Sequence, residues 1–186
     1  MGKTQPKKGK KGAESSQLRW FAEVVVMAIT LSAALSLASE SMLEGAGVAV
    51  ATLILILFIA LGIVFDIIGV AVTAADPKPF HSMAARKVKG AKESLSLLRS
   101  ASRVSSVCND VVGDICGIVS GTTGAVIAAR VQGAFNVRTV LISVGVTALI
   151  SGLTIGGKAL GKGFAMKRST KVVFLAGRFL ALFHRR

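Results

Sequence analysis

Acidic residues are scarce in this chain of 186 residues, which holds nine Asp and Glu against 23 Lys and Arg. Charged residues make up 17% of the chain and hydrophobic residues 52%, and the mean hydropathy is +0.67. A soluble domain of this length does not combine so large an apolar fraction with so few charges. A nucleic-acid-binding protein would spread its basic residues over a surface, whereas here they are excluded from long segments. The composition therefore predicts a membrane protein without a nucleic-acid partner.

Residues that carry catalysis or hold cofactors are also few. The two cysteines, Cys108 and Cys116, lie on one predicted helix at a separation of about 12 Å, so they cannot form a disulfide within it. Neither His81 nor His184 has a catalytic partner near it in the sequence, and a general base needs a nucleophile to serve. The sequence contains no glycine-rich phosphate loop, zinc-ligand spacing or nucleophile elbow. We therefore expect that the protein is not an enzyme.

Four apolar segments are long enough to cross a bilayer, which takes about 20 helical residues. Within the third segment, polar residues at the start are followed by small residues at spacings of three and four, which let helix backbones approach closely in lipid. We therefore expect the third helix to be central in the bundle. The predicted spans are residues 21–43, 47–75, 104–129 and 139–157, and the small residues are Gly113, Gly117, Gly121 and Gly124.

Basic segments flank these spans. Residues 1–19 read as a flexible basic tail, whereas residues 80–101 and 166–186 combine apolar stripes with Lys and Arg, which is typical of helices that lie at a membrane surface. The predicted fold is therefore all-α: a polytopic membrane helical bundle over residues 20–165, with four transmembrane helices and two interfacial amphipathic helices.

The distribution of charge predicts the orientation. Four spans place 21 of the 23 Lys and Arg on one side of the membrane. By the positive-inside bias that side is the cytoplasm, so we expect a multi-pass protein of the plasma (inner) membrane with both termini cytoplasmic. Basic segments at the surface would attract anionic lipid head groups. Topology alone is the alternative explanation of these charges.

Three aspartates lie within apolar sequence, where ionisable groups are costly and usually face a bundle interior or an ion path. They are Asp66 in the second span, and Asp110 and Asp114 one turn apart in the third. From their distances to the cytoplasmic helix ends, the three carboxylates are expected to meet at one level. Together with Asn109 they form a set of oxygen ligands of the kind that Mg²⁺ or Ca²⁺ takes. The alternative is that they bond interhelical partners such as Lys158 and hold the bundle together.

A basic connecting segment, a small-residue span, a further span and a Gly-Lys-rich stretch follow one another in the last two thirds of the chain. The connecting segment contains Lys89-Gly90-Ala91-Lys92 and Leu97-Leu98, and the final stretch is Gly157-Lys158-Ala159-Leu160-Gly161-Lys162-Gly163-Phe164-Ala165. This order resembles the membrane domain of the cyclin-M/CorB/CorC magnesium transport family over about residues 47–183.

The resemblance implies a dimeric three-helix transmembrane domain with a juxtamembrane helical belt, and a role in magnesium transport. This chain differs from the family pattern in that Lys158 stands at an acidic position, Gly161 at a proline and Val72 at a glutamate, and its 186 residues contain no CBS domain. It is thus similar to a degenerate member with an additional helix at residues 21–43.

Together these features predict a protein that binds or transports a divalent cation such as Mg²⁺ and forms a homodimer. The expected metal ligands are Asp66, Asn109, Asp110 and Asp114. Two other functions remain open at this point. One is a non-transporting scaffold or regulatory subunit, which would be favoured if Lys158 neutralises an aspartate. The other is a small pore former of the holin type, which the intramembrane acids disfavour.

Overall fold

The computed structural model describes residues 8–135 and 140–183, and all regular structure within those ranges is helical. In chain order the elements are α1 (Lys8–Leu43), α2 (Val48–Ala74), α3 (Lys78–Ala85), α4 (Ala91–Arg99), α5 (Ala101–Ser106), a π-helical segment (Val107–Gly113), α6 (Asp114–Phe135), α7 (Val140–Lys167) and α8 (Ser169–Phe183).

Four stretches are long and apolar enough to cross a membrane: Leu18–Leu43, Val48–Ala74, Ala101–Ala134 and Val140–Lys167. The predicted all-α bundle with four such helices is therefore confirmed, and the architecture is that of an integral membrane protein. We call Ala101–Ala134, which runs through α5, the π segment and α6, the third span. Its most apolar window is 61% buried, against 28% or less in the other three. The expectation that this helix is central is thus confirmed.

Contacts at the two ends of the bundle show how the helices alternate in direction. At one end, the guanidinium of Arg103 lies 5.0 Å from the ring centre of Trp20, so the beginning of the third span lies beside the first turns of the apolar part of α1. At the other end, Arg130 donates to the carbonyl oxygens of Leu43, at 2.7 Å, and Ala46. Leu43 is the last residue of α1 and its carbonyl oxygen also accepts from the Ala46 amide at 3.1 Å, whereas Ala46 lies in the connection to α2. Arg130 therefore joins α6 to the α1–α2 connection.

The larger of two buried clusters fills the interface between α2 and the third span. From α2 it takes Ile54, Leu55 and Phe58, and from the third span Val111, Val112, Ile115 and Val119. In lipid, such packing stabilises through van der Waals contact rather than through removal of apolar surface from water. The outward faces of the spans remain apolar and exposed, as at Leu53 and Leu149, which suits contact with acyl chains.

The second cluster lies at the end of the bundle where α2 terminates. Phe80 of α3 and Val173 of α8 are fully buried against Ala71 and Val72 of α2. The short helices α3, α4 and α8 therefore form a layer packed on the ends of α2 and α7. We call this layer the cap.

The connecting segment differs from its prediction. One helix was expected over residues 80–101, but α3 ends at Ala85 and α4 begins at Ala91. Between them Lys87 has φ 55° and Gly90 has φ 90°, left-handed conformations that interrupt a right-handed helix. Glycine adopts such a conformation without steric cost, so the sequence signal for the break was Gly90 within an otherwise helical pattern.

The bounds of two other helices also differ from their predictions. Helix α1 begins at Lys8, within the segment predicted to be a flexible tail, whereas residues 1–7 lie outside the described residues. The fourth span was expected to end at residue 157, but α7 continues to Lys167. Two glycines at and beyond the expected end pack on α2, since a Cβ on Gly157 would collide with Ile63 and one on Gly161 would lie 2.9 Å from Ile67.

Candidate functional site

Asp66 lies on the face of α2 that packs against the third span. Its side chain is only 6% exposed. Gly62 and Gly69 lie about one turn to either side of it. A Cβ on Gly62 would lie 3.1 Å from the Cβ of Cys116, and one on Gly69 would collide with the side-chain amide of Asn109. The two glycines therefore allow the third span to approach the helix that carries the buried carboxylate.

Two lysines from α7 reach the same carboxylate. Lys158 Nζ lies 4.0 Å from Asp66 Oδ1, and Lys162 Nζ lies 4.0 Å from Asp66 Oδ2. The lysines are one turn apart, each directly after one of the glycines that pack on α2, so the close approach of the two helices aims both ammonium groups at Asp66. At 4.0 Å they attract the carboxylate but form no hydrogen bond with it, since such bonds are at most about 3.2 Å long.

The π segment of the third span also lines the site around Asp66, together with α2 and α7. Asn109 lies within it and donates from Nδ2 to Ser105 Oγ at 3.2 Å. Gly113 ends the segment, and a Cβ there would lie 3.4 Å from Lys158 Nζ and 3.8 Å from Asp66 Oδ1. Because π segments widen the helix by one residue per turn, they change which side chains face a neighbour, and they are frequent at functional sites.

Two acceptor oxygens in this interface are buried without a hydrogen-bond partner among the described residues: Asp66 Oδ2 and Asn109 Oδ1. Leaving such an acceptor unsatisfied costs about 1–3 kcal/mol, and more for a charged group. Unsatisfied buried atoms in native proteins commonly mark a place for a water or an ion. Asp66 Oδ2 and Asn109 Oδ1 can therefore each accept a hydrogen bond from a water or bind a metal ion.

Asp110 and Asp114 are placed differently. Both are exposed, and they line an open groove of about 550 Å³ between the third span and α1, with Ser32 and Ser36 on its opposite side. Neither forms an ion pair with any described residue. The groove lies on another face of the helix from Asn109 and Gly113, because each aspartate follows one of those residues and successive helical positions are rotated by about 100°.

The expected meeting of three carboxylates is therefore not found. In the described residues, no group of three His, Cys, Asp or Glu side chains is arranged to hold a metal ion. Among the four predicted ligands, Asp66 and Asn109 contribute the unsatisfied oxygens at the α2 interface, whereas Asp110 and Asp114 face the groove. That each of the four binds a cation stays a prediction.

Sequence reasoning named Lys158 as a possible partner of an aspartate but did not name Lys162. The signal was present, since the two lysines recur at a spacing of four in a segment of small residues, which places them on one helix face. Because the fourth span was predicted to end at residue 157, Lys162 lay beyond the predicted spans and was not considered as a partner of Asp66.

The comparisons with known proteins add no assignment: no protein-family model, curated protein or solved structure matches this chain.

Proposed function

We propose that this integral membrane protein binds and moves a divalent cation such as Mg²⁺, with Asp66 and Asn109 supplying the protein oxygens. The observation that supports this is the pair of buried, unsatisfied acceptors on facing helices. Mg²⁺ is commonly held by one or two carboxylates and keeps several of its waters. One carboxylate and one amide oxygen are therefore sufficient protein ligands for it.

In this proposal Lys158 and Lys162 act as internal counter-ions that neutralise Asp66 when no metal is bound. Coulomb attraction scales with charge and inversely with distance. A divalent ion at its usual oxygen distance of about 2.1 Å therefore attracts the carboxylate roughly four times as strongly as one ammonium at 4.0 Å does, and roughly twice as strongly as the two ammonium groups together. Lys162 is 55% exposed and Lys158 is 23% exposed. Their flexible stems allow both ammonium groups to withdraw when the metal binds.

The groove that carries Asp110 and Asp114 has a different role in this proposal from the site at Asp66. Charged side chains facing hydrocarbon are costly, so carboxylates at this position call for water, a cation or a partner helix. Ser32 and Ser36 add hydroxyl oxygens across the groove. The role proposed for the two aspartates is to attract hydrated cations into the bundle from the end at which the third span begins. The orientation with both termini cytoplasmic, and a homodimer, belong to the same proposal.

A non-transporting scaffold is the second candidate, and the two lysines at Asp66 favour it. A carboxylate neutralised by two ammonium groups can serve only to hold α2 and α7 in register. In that case removal of Asp66 would leave the partly buried ammonium of Lys158 without its partner and destabilise the bundle, and no divalent cation would alter its stability.

Mg²⁺ titration of the purified full-length protein separates the two functions, with thermal stability and calorimetric affinity as readouts. For a cation site, Mg²⁺ stabilises the wild type and Asp66→Asn abolishes that effect. Lys158→Met should raise Mg²⁺ affinity about tenfold because it removes a competing cation. Glu23→Gln, which removes an exposed acid of α1, serves as the charge control and should leave the response unchanged.

For a scaffold, neither the wild type nor Lys158→Met responds to Mg²⁺. Asp66→Asn lowers stability, and adding Lys158→Met to it restores part of the loss. That pattern would refute the cation proposal. Proteoliposomes loaded with a Mg²⁺-sensitive dye then test transport itself, which should be lost in Asp66→Asn and retained in Glu23→Gln.

A further inference from the structure

A second polar site lies in the cap, away from Asp66. The turn between α3 and α4 and the end of α8 enclose a cavity of about 550 Å³, which is within the range of about 300–1,000 Å³ typical of small-molecule sites. Its charged lining consists of four cations and one acid, Lys87, Lys89, Lys92, Arg178 and Glu93. The cavity therefore carries a net charge of +3 if all five groups are ionised.

The cations are held together by the way α4 crosses α8. A Cβ on Gly90 would lie 2.7 Å from the Cα of Arg178, and a Cβ on Gly177 would lie 2.7 Å from the Gly90 carbonyl oxygen. Only glycine permits this approach of the two backbones. The left-handed conformation of Lys87 turns the chain between the helices, so that Lys87 and Lys89 in the turn and Lys92 in the first turn of α4 line the cavity with the arginine.

Glu93 is the acid in the lining of this cavity, against four cations. In the described part of the chain the ion pairs are those at Asp66, and none involves a residue of this cavity. Four like charges that repel each other in a fixed cavity are stabilised by a bound anion, and Lys and Arg together offer charge-assisted hydrogen bonds to phosphate oxygens.

An apolar stripe adjoins the cavity on α8. Leu175, Phe179 and Leu182 recur at spacings of four and three and are 64%, 61% and 71% exposed. Leu182 also lines the cavity. An exposed apolar stripe beside basic residues, on a helix packed at the end of a transmembrane bundle, is typical of a helix that lies in the head-group region with its apolar side toward the acyl chains. The cavity would then open at the depth of lipid phosphates.

We propose that this cavity is a binding site for the phosphate-bearing head group of an anionic membrane lipid, with the lipid's acyl chains lying along the stripe of α8. A free phosphate compound would meet the same cations but would gain nothing from Leu175, Phe179 and Leu182. The chemistry recognised is thus a phosphate, and its source is the membrane. The site is independent of the cation proposal because it shares no residue with the surroundings of Asp66.

The test is a titration of the detergent-solubilised full-length protein with cardiolipin, which carries two phosphates, and with neutral phosphatidylcholine, with bound lipid counted by native mass spectrometry. Cardiolipin should bind saturably and at least tenfold more tightly than phosphatidylcholine. The triple variant Lys89→Gln, Lys92→Gln, Arg178→Gln should weaken cardiolipin binding at least tenfold. These side chains are exposed, so helix content should not change, and Lys89→Gln alone provides a milder variant.

The matched control removes three exposed cations at the same end of the molecule but outside the cavity, by Lys167→Gln, Arg168→Gln and Lys171→Gln. It should weaken cardiolipin binding less than threefold. Equal losses in the two triple variants would overturn the proposal in favour of diffuse surface attraction, as would equal binding of the two lipids. Displacement of cardiolipin by millimolar inorganic phosphate would also overturn it, because the site would then be one for a soluble anion.

Discussion

Substitution of Gly177 by alanine tests the packing of the cap. The added Cβ would lie 2.7 Å from the carbonyl oxygen of Gly90 and 2.8 Å from the amide nitrogen of Ser94, and it would collide with Ser94 Oγ. Two of these three neighbours are backbone atoms, which cannot rotate away. Helix α8 must therefore shift off α4. In doing so it loosens the contact between Ser94 Oγ and the Val173 carbonyl oxygen, which are 3.2 Å apart. The same hydroxyl lies 2.7 Å from the Gly90 carbonyl oxygen and shares its one proton between the two acceptors.

The expected loss has two parts. Overpacking at a rigid contact costs about 1–3 kcal/mol, and the weakened hydrogen bond adds about 1 kcal/mol. The gain in helix propensity from glycine to alanine returns at most about 1 kcal/mol. The net effect is a destabilisation of about 1–3 kcal/mol, which corresponds to a fall in the transition temperature of roughly 2–12 °C for a protein of this size.

The native cysteines provide the assay. Cys108 and Cys116 are free and buried, so a thiol-reactive fluorescent dye reports the opening of the bundle during a thermal ramp. Gly163→Ala on α7 is the control because a Cβ there meets nothing within 4 Å, and it should leave stability unchanged or slightly higher. The double variant Gly177→Ala, Ser94→Ala removes the hydroxyl collision but not the two backbone contacts, so it should remain destabilised. Full recovery in the double variant, or a wild-type transition in Gly177→Ala, would refute the backbone-contact reasoning.

Two further predictions concern the ends of the bundle. Arg130→Gln should lower stability by about 3–6 kcal/mol, because two hydrogen bonds to the Leu43 and Ala46 carbonyl oxygens are lost and hydrogen bonds from charged groups contribute about 1.5–3 kcal/mol each. An unchanged transition in the same dye assay would show that water replaces the guanidinium. For the orientation, a cysteine introduced at His81, in a variant lacking the native cysteines, should be protected from a membrane-impermeant maleimide in intact cells, whereas one at Gln132 should react. Labelling at position 81 from outside would contradict the cytoplasmic assignment of the cap.

The segment that sequence reasoning treated least accurately is the one around Lys158. The fourth span was predicted to end at residue 157, before a stretch that contains further glycines and lysines. Glycine lowers helix propensity and lysine is costly in lipid. The structure continues α7 to Lys167. Gly157 and Gly161 in this stretch pack on α2, and the lysine that follows each of them lies beside Asp66. Both features oppose a helix when only local preferences are counted, and both favour it once the neighbouring helix is present.

The sequence by itself determined that the chain has four apolar helices, that the third is central and that Asp66, Asp110 and Asp114 lie within them. Helix length and mean hydropathy are sums along the chain, so they can be obtained without knowledge of any neighbour. The tertiary structure decided which aspartate is buried, because a helix rotated by one residue turns a side chain by about 100°. It also decided that the third span contains a π segment that places Asn109 against Gly69, and that two left-handed residues divide the connecting helix. The pairing of Lys158 and Lys162 with Asp66, and the basic cavity of the cap, likewise depend on how closely two helices cross. That distance is fixed by glycines whose contacts exist only in the folded bundle.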